Sequence, residues 1–512
     1  MRKNSAVLGG LLGVLVSWCL IAGPAAAEAP KLRALFVTGG GYHDYETLAP
    51  LLCRKIAEHA SVRFEIQWGI EAFADPHRAD PFDVIVFDLC QEDVDMAPID
   101  NALAAVRGGK PAVFLHCAVH CLRKSEGWRE CCGEMSKVHD PFQSFGTVKV
   151  DKDHPIVKAW PDDWTTPGDE LYQTIALGKD SHALLTAKSP KTGDVHTVAW
   201  TREHEKERVF ATTLGHDLQT AGMTVYHELV ARGLLWACRK LGDDGKPAAG
   251  CEGTGPKPQV VFVTGSDEYE PEKSMASLAD DLETKHGVQC LLVNDKVAKS
   301  NWQPKPGERS NDMPGLGALA GADLAVFFMR FRELPEEQVN RIAAYLDSGK
   351  SVAGFRTATH AFNYAEGDPL AATWNAFGKD VLGAPWIYHY GHESSTDVVA
   401  LPQQQSHPIL KGVDPEFHVR SWLYQVKPEY PPQDATVLLL GKSTGPSGRK
   451  EREDNPVAWT RMTKAGGKVF FTTMGHPEDF TVPAFRQLAI NGILWAIGRQ
   501  AGDSPRRLED TK

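Results

Sequence analysis

The sequence predicts an α/β protein made of two tandem, doubly wound domains with mostly parallel sheets. Three observations carry this: short runs that are apolar throughout, helical stretches between them, and recurrence of the whole pattern in the second half of the chain. The runs Leu32 to Val37, Val84 to Phe87 and Ala112 to Leu115 alternate with amphipathic stretches from Leu48 to Glu58 and from Ile99 to Val106. Strands that are apolar on both faces must be covered on both faces, and intervening helices provide the cover. Right-handed crossovers then give an open sheet whose ligands bind beyond the carboxyl ends of its strands.

The repeat sets the domain boundaries. Leu32–Gly39 is matched by Gln259–Gly265, and Gly109–His116 by Gly349–Arg356. Asp153-His154-Pro155-Ile156 returns as Ser406-His407-Pro408-Ile409, and Leu171-Tyr172-Gln173 as Leu423-Tyr424-Gln425. Val198–Arg202 and Arg208–His216 return as Val457–Arg461 and Lys468–His476. The copies occupy residues 31–240 and 258–499. Residues 241–257 are rich in glycine and proline with almost nothing to bury, and read as a linker. The polar tail 500–512 reads as disordered.

Arg2 and Lys3, an apolar run from Val7 to Gly23 and Pro24-Ala25-Ala26-Ala27 have the form of a secretory signal cleaved after Ala27. No later run is long enough to span a bilayer, so no stable membrane insertion is expected after cleavage, and the expected location is periplasmic or secreted. The formal charge is −11; without Arg2 and Lys3 it becomes about −13, which argues against nucleic acid as a partner. Nine cysteines remain after the leader is removed. In an oxidising compartment Cys117, Cys121, Cys131 and Cys132 suit one or two disulfides better than a zinc cluster, because Cys131 and Cys132 are adjacent and form no second ligand pair.

The candidate site lies at the carboxyl ends of the strands. His43 follows the first strand through Thr38-Gly39-Gly40-Gly41-Tyr42, His116 ends the strand from Ala112, and His216 ends the strand from Val209. His120 and His139 fall in the following loops. Imidazoles gathered at one rim allow either a divalent metal or general acid/base work. Asp169 and Glu170 supply carboxylates that could ligate a metal, orient an imidazole or bind sugar hydroxyls. His43, His116, His139 and His216 are thus the expected metal ligands, zinc the expected ion, and His116, Asp169, Glu170 and His216 the expected catalytic group. Tyr42, His120, Arg356, His360 and His476 are expected to bind substrate. No nucleotide cofactor is expected.

These residues form an ordered set: His116 after Gly-Lys-Pro, His139-Asp140-Pro141, Asp153-His154-Pro155-Ile156, Asp169-Glu170-Leu171-Tyr172, Val198-Ala199-Trp200-Thr201 and Leu214-Gly215-His216-Asp217. The set resembles the ThuA-like, or trehalose utilisation, family, and the second copy resembles a divergent branch of it. The resemblance implies a fold like that of class I glutamine amidotransferases, related to the flavodoxin-like fold. It also implies a small-molecule carbohydrate as partner, sugar catabolism including keto-sugars, and a bound zinc ion.

A glutaminase triad is not expected. The turn that should carry its cysteine carries His116 in one copy and Arg356 in the other, and Cys117, one position late, is expected to aim its thiol elsewhere. Two function classes stay open: a metal-dependent, sugar-directed hydrolase or lyase, and a carbohydrate-binding or scaffold protein. For the second, Trp128, Trp160, Trp164, Trp302, Trp374, Trp386 and Trp422 could stack on sugar rings or merely anchor loops. Between the copies His116 becomes Arg356, Asp169 becomes Ser421 and Glu170 becomes Trp422, so chemistry is expected in the first.

Overall fold

The computed structural model describes residues 32–134, 136–174, 177–266, 268–295, 312–445 and 453–500. The leader 1–27, Trp302 and the tail beyond Gln500 lie outside the described residues.

The first domain holds β1 (Leu32–Gly40), β2 (Val62–Trp68), β3 (Val84–Cys90), β4 (Ala112–Leu115), β5 (Ser136–His139), β6 (Thr147–Lys149), β7 (Tyr172–Thr174), β8 (Ser181–Lys188), β9 (Val195–His204) and β10 (Glu207–Thr212). Its main sheet has the order β2-β1-β3-β4-β10-β9-β8-β6, while β5 and β7 form a separate antiparallel ribbon. The strands from β2 to β10 in that order run parallel. The wing of β9, β8 and β6 is antiparallel. The wing follows from chain length: only Glu205 and Lys206 separate β9 from β10, and so short a link can join only antiparallel neighbours.

The second domain repeats the plan with β11 (Gln259–Gly265), β12 (Gln289–Asn294), β13 (Leu324–Met329), β14 (Ser351–Phe355), β15 (Ser395–Ala400), β16 (Glu416–Val419), β17 (Thr436–Thr444), β18 (Asn455–Met462) and β19 (Lys468–Thr472). The order is β12-β11-β13-β14-β19-β18-β17-β15-β16. In both sheets the first strand of the domain sits between the second and the third, which creates a switch point beside its carboxyl end.

Side chains of a strand alternate between faces, and the cores show it. Ala34 and Phe36 pack with the helices Tyr45–His59 and Thr224–Ala237 on one face; Leu35 and Val37 pack with Met96–Arg107 on the other. Val260 and Phe262, against Val261 and Val263, divide in the same way in the second domain. Each domain thus has its own apolar layers.

Two sequence readings change. Residues 241–256 bury more than their composition implies: Cys251 is buried, and the backbone hydrogen-bonds back to the first domain from Gly253 N to His59 O and from Gly255 N to Glu58 O. The nine described cysteines are all free thiols, so the expected disulfides among Cys117, Cys121, Cys131 and Cys132 are not formed. Cys121 and Cys132 instead donate to the carbonyls of Leu89 and Glu134 inside the core.

The domains meet along the helix Tyr45–His59. Arg341 of the second domain donates to Thr47 Oγ1 at 2.8 Å and pairs with Asp44 at 3.1 Å, and Arg54 donates to Gly321 O at 2.9 Å. Among the described residues no helix is long and apolar enough to cross a membrane.

Candidate functional site

Four strand ends of the first domain deliver the site. The turn after β1 approaches β3 so closely that a Cβ at Gly40, whose φ is +121°, would overlap the Cys90 carbonyl; glycine there lets the loop place His43 over the sheet. His116 follows β4 at a φ of +43°, an uncommon conformation for a residue with a side chain. The sharp elbow brings Cys117 to the cavity wall and leaves His116 buried just behind it. Arg356 has the same φ of +43° after β14, so the elbow is common to both copies.

Asp169 works from behind. It is fully buried and accepts from the backbone N–H of Glu170 at 2.8 Å, Gly215 at 2.9 Å and His216 at 3.2 Å. One carboxylate therefore ties the loop carrying Glu170 to the loop carrying His216. Burial pushes its pKa up to about 6 against the pull of those three amides.

The side chains converge on a cavity of about 420 Å³. His116 Nδ1 lies 2.7 Å from Thr213 O. A carbonyl can only accept, so the proton sits on Nδ1 and Nε2 carries the lone pair, buried behind the cavity wall. Tyr172 Oη lies 3.2 Å from that Nε2 and 3.1 Å from Cys117 Sγ, which is 3.0 Å from His43 Nε2. Glu170 Oε2 is 3.3 Å from His216 Nδ1 and 3.8 Å from His116 Nε2, and its Oε1 is 3.4 Å from His139 Nδ1. His120 completes the wall, its Nε2 2.5 Å from Arg123 Nη2.

Burial, then the neighbouring His216, pushes His43 down to about 4; burial, then His43, holds His116 well below its ordinary value. Burial and Arg123 push His120 down to about 4. Burial alone would also discharge Glu170 and His216. Their mutual contact outweighs it, holding the carboxyl below and the imidazole above the usual range.

Among the described residues two overlapping groups could hold a metal: His43, His116 and Cys117, and His116, Glu170 and His216, with the ligand atoms of each within 4.8 Å of one another. The imidazoles of His43 and His116, which burial keeps neutral, suit the role, and His216 Nδ1 is buried beside Glu170 without a well-formed hydrogen bond. His139 contacts Glu170 but lies outside both groups. Tyr42, 75% exposed, stands at the mouth. Phe142, 44% exposed, lies 5.0 Å from the His216 ring.

The sequence reading missed Cys117, Tyr172 and Phe142. The expectation that Cys117 points elsewhere is overturned, because the short turn His116–Val119 carries its thiol to the cavity wall between His43 and Tyr172. Tyr172 carried a signal in its match to Tyr424; Phe142 carried none. Trp128, Trp160, Trp164, Trp374 and Trp422 are buried loop or core anchors, while Trp386 is 40% exposed.

Arg356, His360 and His476 lie at the corresponding edge of the second sheet. Arg356 Nη1 donates to Thr473 O at 2.9 Å, repeating the bond of His116 to Thr213 O, and its guanidinium is enclosed by the rings of Tyr269, Trp422 and Tyr424. The Asp169 brace is replaced in space: Asp479 accepts from Gly475 N, His476 N and Ser421 N. A carboxylate lost at position 421 is thus restored from a residue further along the chain.

Two open, mostly parallel sheets in tandem, the first carrying a histidine–carboxylate–thiol cluster beyond its strand ends, define a tandem α/β protein of this class. The chain belongs to the trehalose utilisation (ThuA) family, whose profile matches residues 33–237 and 286–496. It is similar to a solved ThuA-like protein from Parabacteroides merdae ATCC 43184, with 21% identity over 43% of this chain and 96% of that one and a TM-score of 0.36. A ThuA-like protein from Bacteroides uniformis ATCC 8492 gives 18% identity over 41% and 93%, with a TM-score of 0.36. No curated protein matches the chain.

Proposed function

We propose that this protein is an exported, divalent-metal-dependent enzyme that cleaves a small carbohydrate, by hydrolysis or elimination, in the pocket of its first domain. The observation that carries the reading is the grouping of His116, Glu170 and His216 within 4.8 Å of one another, with Glu170 and His216 lining a cavity of about 420 Å³ that is large enough for a sugar. Family membership supports the carbohydrate, and the leader-like segment 1–27 supports export.

His116, Glu170 and His216 would hold the cation, with zinc matching the nitrogen and oxygen donors. A bound divalent cation supplies Lewis-acid polarisation of a sugar oxygen. Thr213 O fixes the tautomer of His116, and Asp169 fixes the two loops that carry Glu170 and His216. His139 lies 2.8 Å through Nδ1 from the Asp140 carbonyl, which leaves its Nε2 as the lone-pair nitrogen that accepts the substrate proton. Tyr42 and Phe142 offer exposed aromatic surface to a sugar ring at the mouth.

The test is elemental analysis of purified protein with turnover on a panel of glycosides and keto-sugars. Wild type should carry one divalent ion per chain. Glu170→Gln and His116→Ala should each lower metal affinity at least ~10-fold and abolish turnover, since each removes a ligand. His139→Gln should keep the metal and lose turnover ~100-fold, as expected for an acid/base group. Wild type that takes up no metal after incubation with zinc overturns the proposal.

A further inference from the structure

The cavity lined by Glu170 and His216 is not the only space that opens at His43. A groove of about 640 Å³ runs from His43 along the domain boundary, with Trp68 and Glu71 on one wall and Asp312, Glu337 and Arg341 from the second domain on the other. His43 lines both spaces, so the two adjoin at its side chain.

We infer that this groove is an extension of the site, shaped for the remainder of a neutral oligosaccharide or glycoside whose reacting unit occupies the first domain's pocket. The inference rests on the carbohydrate reading above and assigns the second domain a direct part in binding. Three features support it.

The groove is held open before any ligand arrives. Arg341 pairs with Asp44 at 3.1 Å, Glu46 at 3.5 Å and Glu337 at 3.4 Å, which pins the second domain's helix Glu336–Asp347 to the start of Tyr45–His59. Gln91 donates to Glu71 Oε1 at 2.9 Å and accepts from Ile70 N at 3.0 Å, which fixes Glu71 on the opposite wall.

The lining selects by charge. Asp44, Glu46, Glu71 and Glu337 line the groove beside the guanidinium of Arg341, whose charge its ion pairs with Asp44, Glu46 and Glu337 already occupy. Such a wall repels a uronate or phosphate and accepts hydrogen bonds from hydroxyl groups, while Trp68 adds apolar surface for a pyranose face. The volume is sufficient too: at 640 Å³ against the 420 Å³ of the reacting pocket, the groove has room for at least one further sugar unit.

The experiment titrates the zinc-loaded full chain by calorimetry with glucose, trehalose, and malto- and cello-oligosaccharides of two to four units, and with an oligoglucuronate. The expected result is at least a tenfold gain in affinity from glucose to the best neutral oligomer, and none for the uronate. Trp68→Ala should remove that gain and leave glucose within about twofold. Glu337→Ala and Glu71→Ala should each reduce the gain severalfold. Glu337 is 81% exposed, so its replacement keeps the fold intact even if Trp68→Ala does not. No length dependence in wild type, a preference for the uronate, or oligomer affinity untouched by Glu337→Ala and Glu71→Ala would each overturn the inference. Failure of the catalytic proposal is seen separately, in metal content and in Glu170→Gln.

Discussion

At the scale of single residues, the two copies differ by what stands on one elbow. His116 and Arg356 share a backbone conformation and a carbonyl partner, yet one leaves a lone pair facing Tyr172 and Glu170 and the other a guanidinium wrapped in three rings. The neutral imidazoles of the first copy have a consequence for stability. His120 stays unprotonated in the fold down to about 4, whereas it takes up a proton near 6.5 when unfolded. Between those values the unfolded chain binds the extra proton, so folding weakens as pH falls through that window and regains strength as pH rises. Urea unfolding of metal-free protein at pH 7.5 and 4.5 should therefore show a larger loss for wild type than for His120→Gln. Equal losses would mean that His120 is charged in the fold.

At the scale of elements, the site depends on loops whose geometry is set by groups that never touch the cavity. Asp169 joins two loops through three amides, and Asp479 does the same in the second copy from a different place in the chain. A buried carboxylate can be supplied by any segment that reaches the spot, so the brace survives while its sequence position does not. Asp169→Asn puts an amide donor against backbone donors and should cost about 2 kcal/mol at pH 7.5 in urea unfolding, within the range for charged hydrogen bonds. Gly215, at a φ of +110°, has the Tyr226 hydroxyl where a Cβ would go. Gly215→Ala should likewise cost about 2 kcal/mol or more from strain alone. A loss below about 0.5 kcal/mol in either variant would show that these loops have other support.

At the scale of the molecule, separate cores are coupled by a polar seam. Each sheet has its own apolar layers, but Arg341 and Arg54 reach across, and the connector is hydrogen-bonded to the first domain. We expect a protease site inserted between the exposed Asp243 and Asp244 to yield two fragments on a denaturing gel that still elute together on gel filtration. Adding Arg54→Ala and Arg341→Ala should separate them. Separation of the cut wild type without those changes would show that only the connector holds the pair.

The sequence by itself determined the architecture. Apolar runs from Leu32, Val84 and Ala112, and their recurrence from Gln259 and Gly349, specify buried parallel strands because no other element buries both faces in so few residues. It also brought His43, His116 and His216 to one rim, since the strand ends of such a sheet share an edge. What only the tertiary structure decided were contacts set by turns and by partners distant in sequence. A tight elbow puts Cys117 beside His43, and Asp169 faces three amides and leaves Glu170 to the cavity. The free thiols and the groove at His43 were equally hidden, because burial of a cysteine and the approach of a second domain depend on packing that periodicity does not encode.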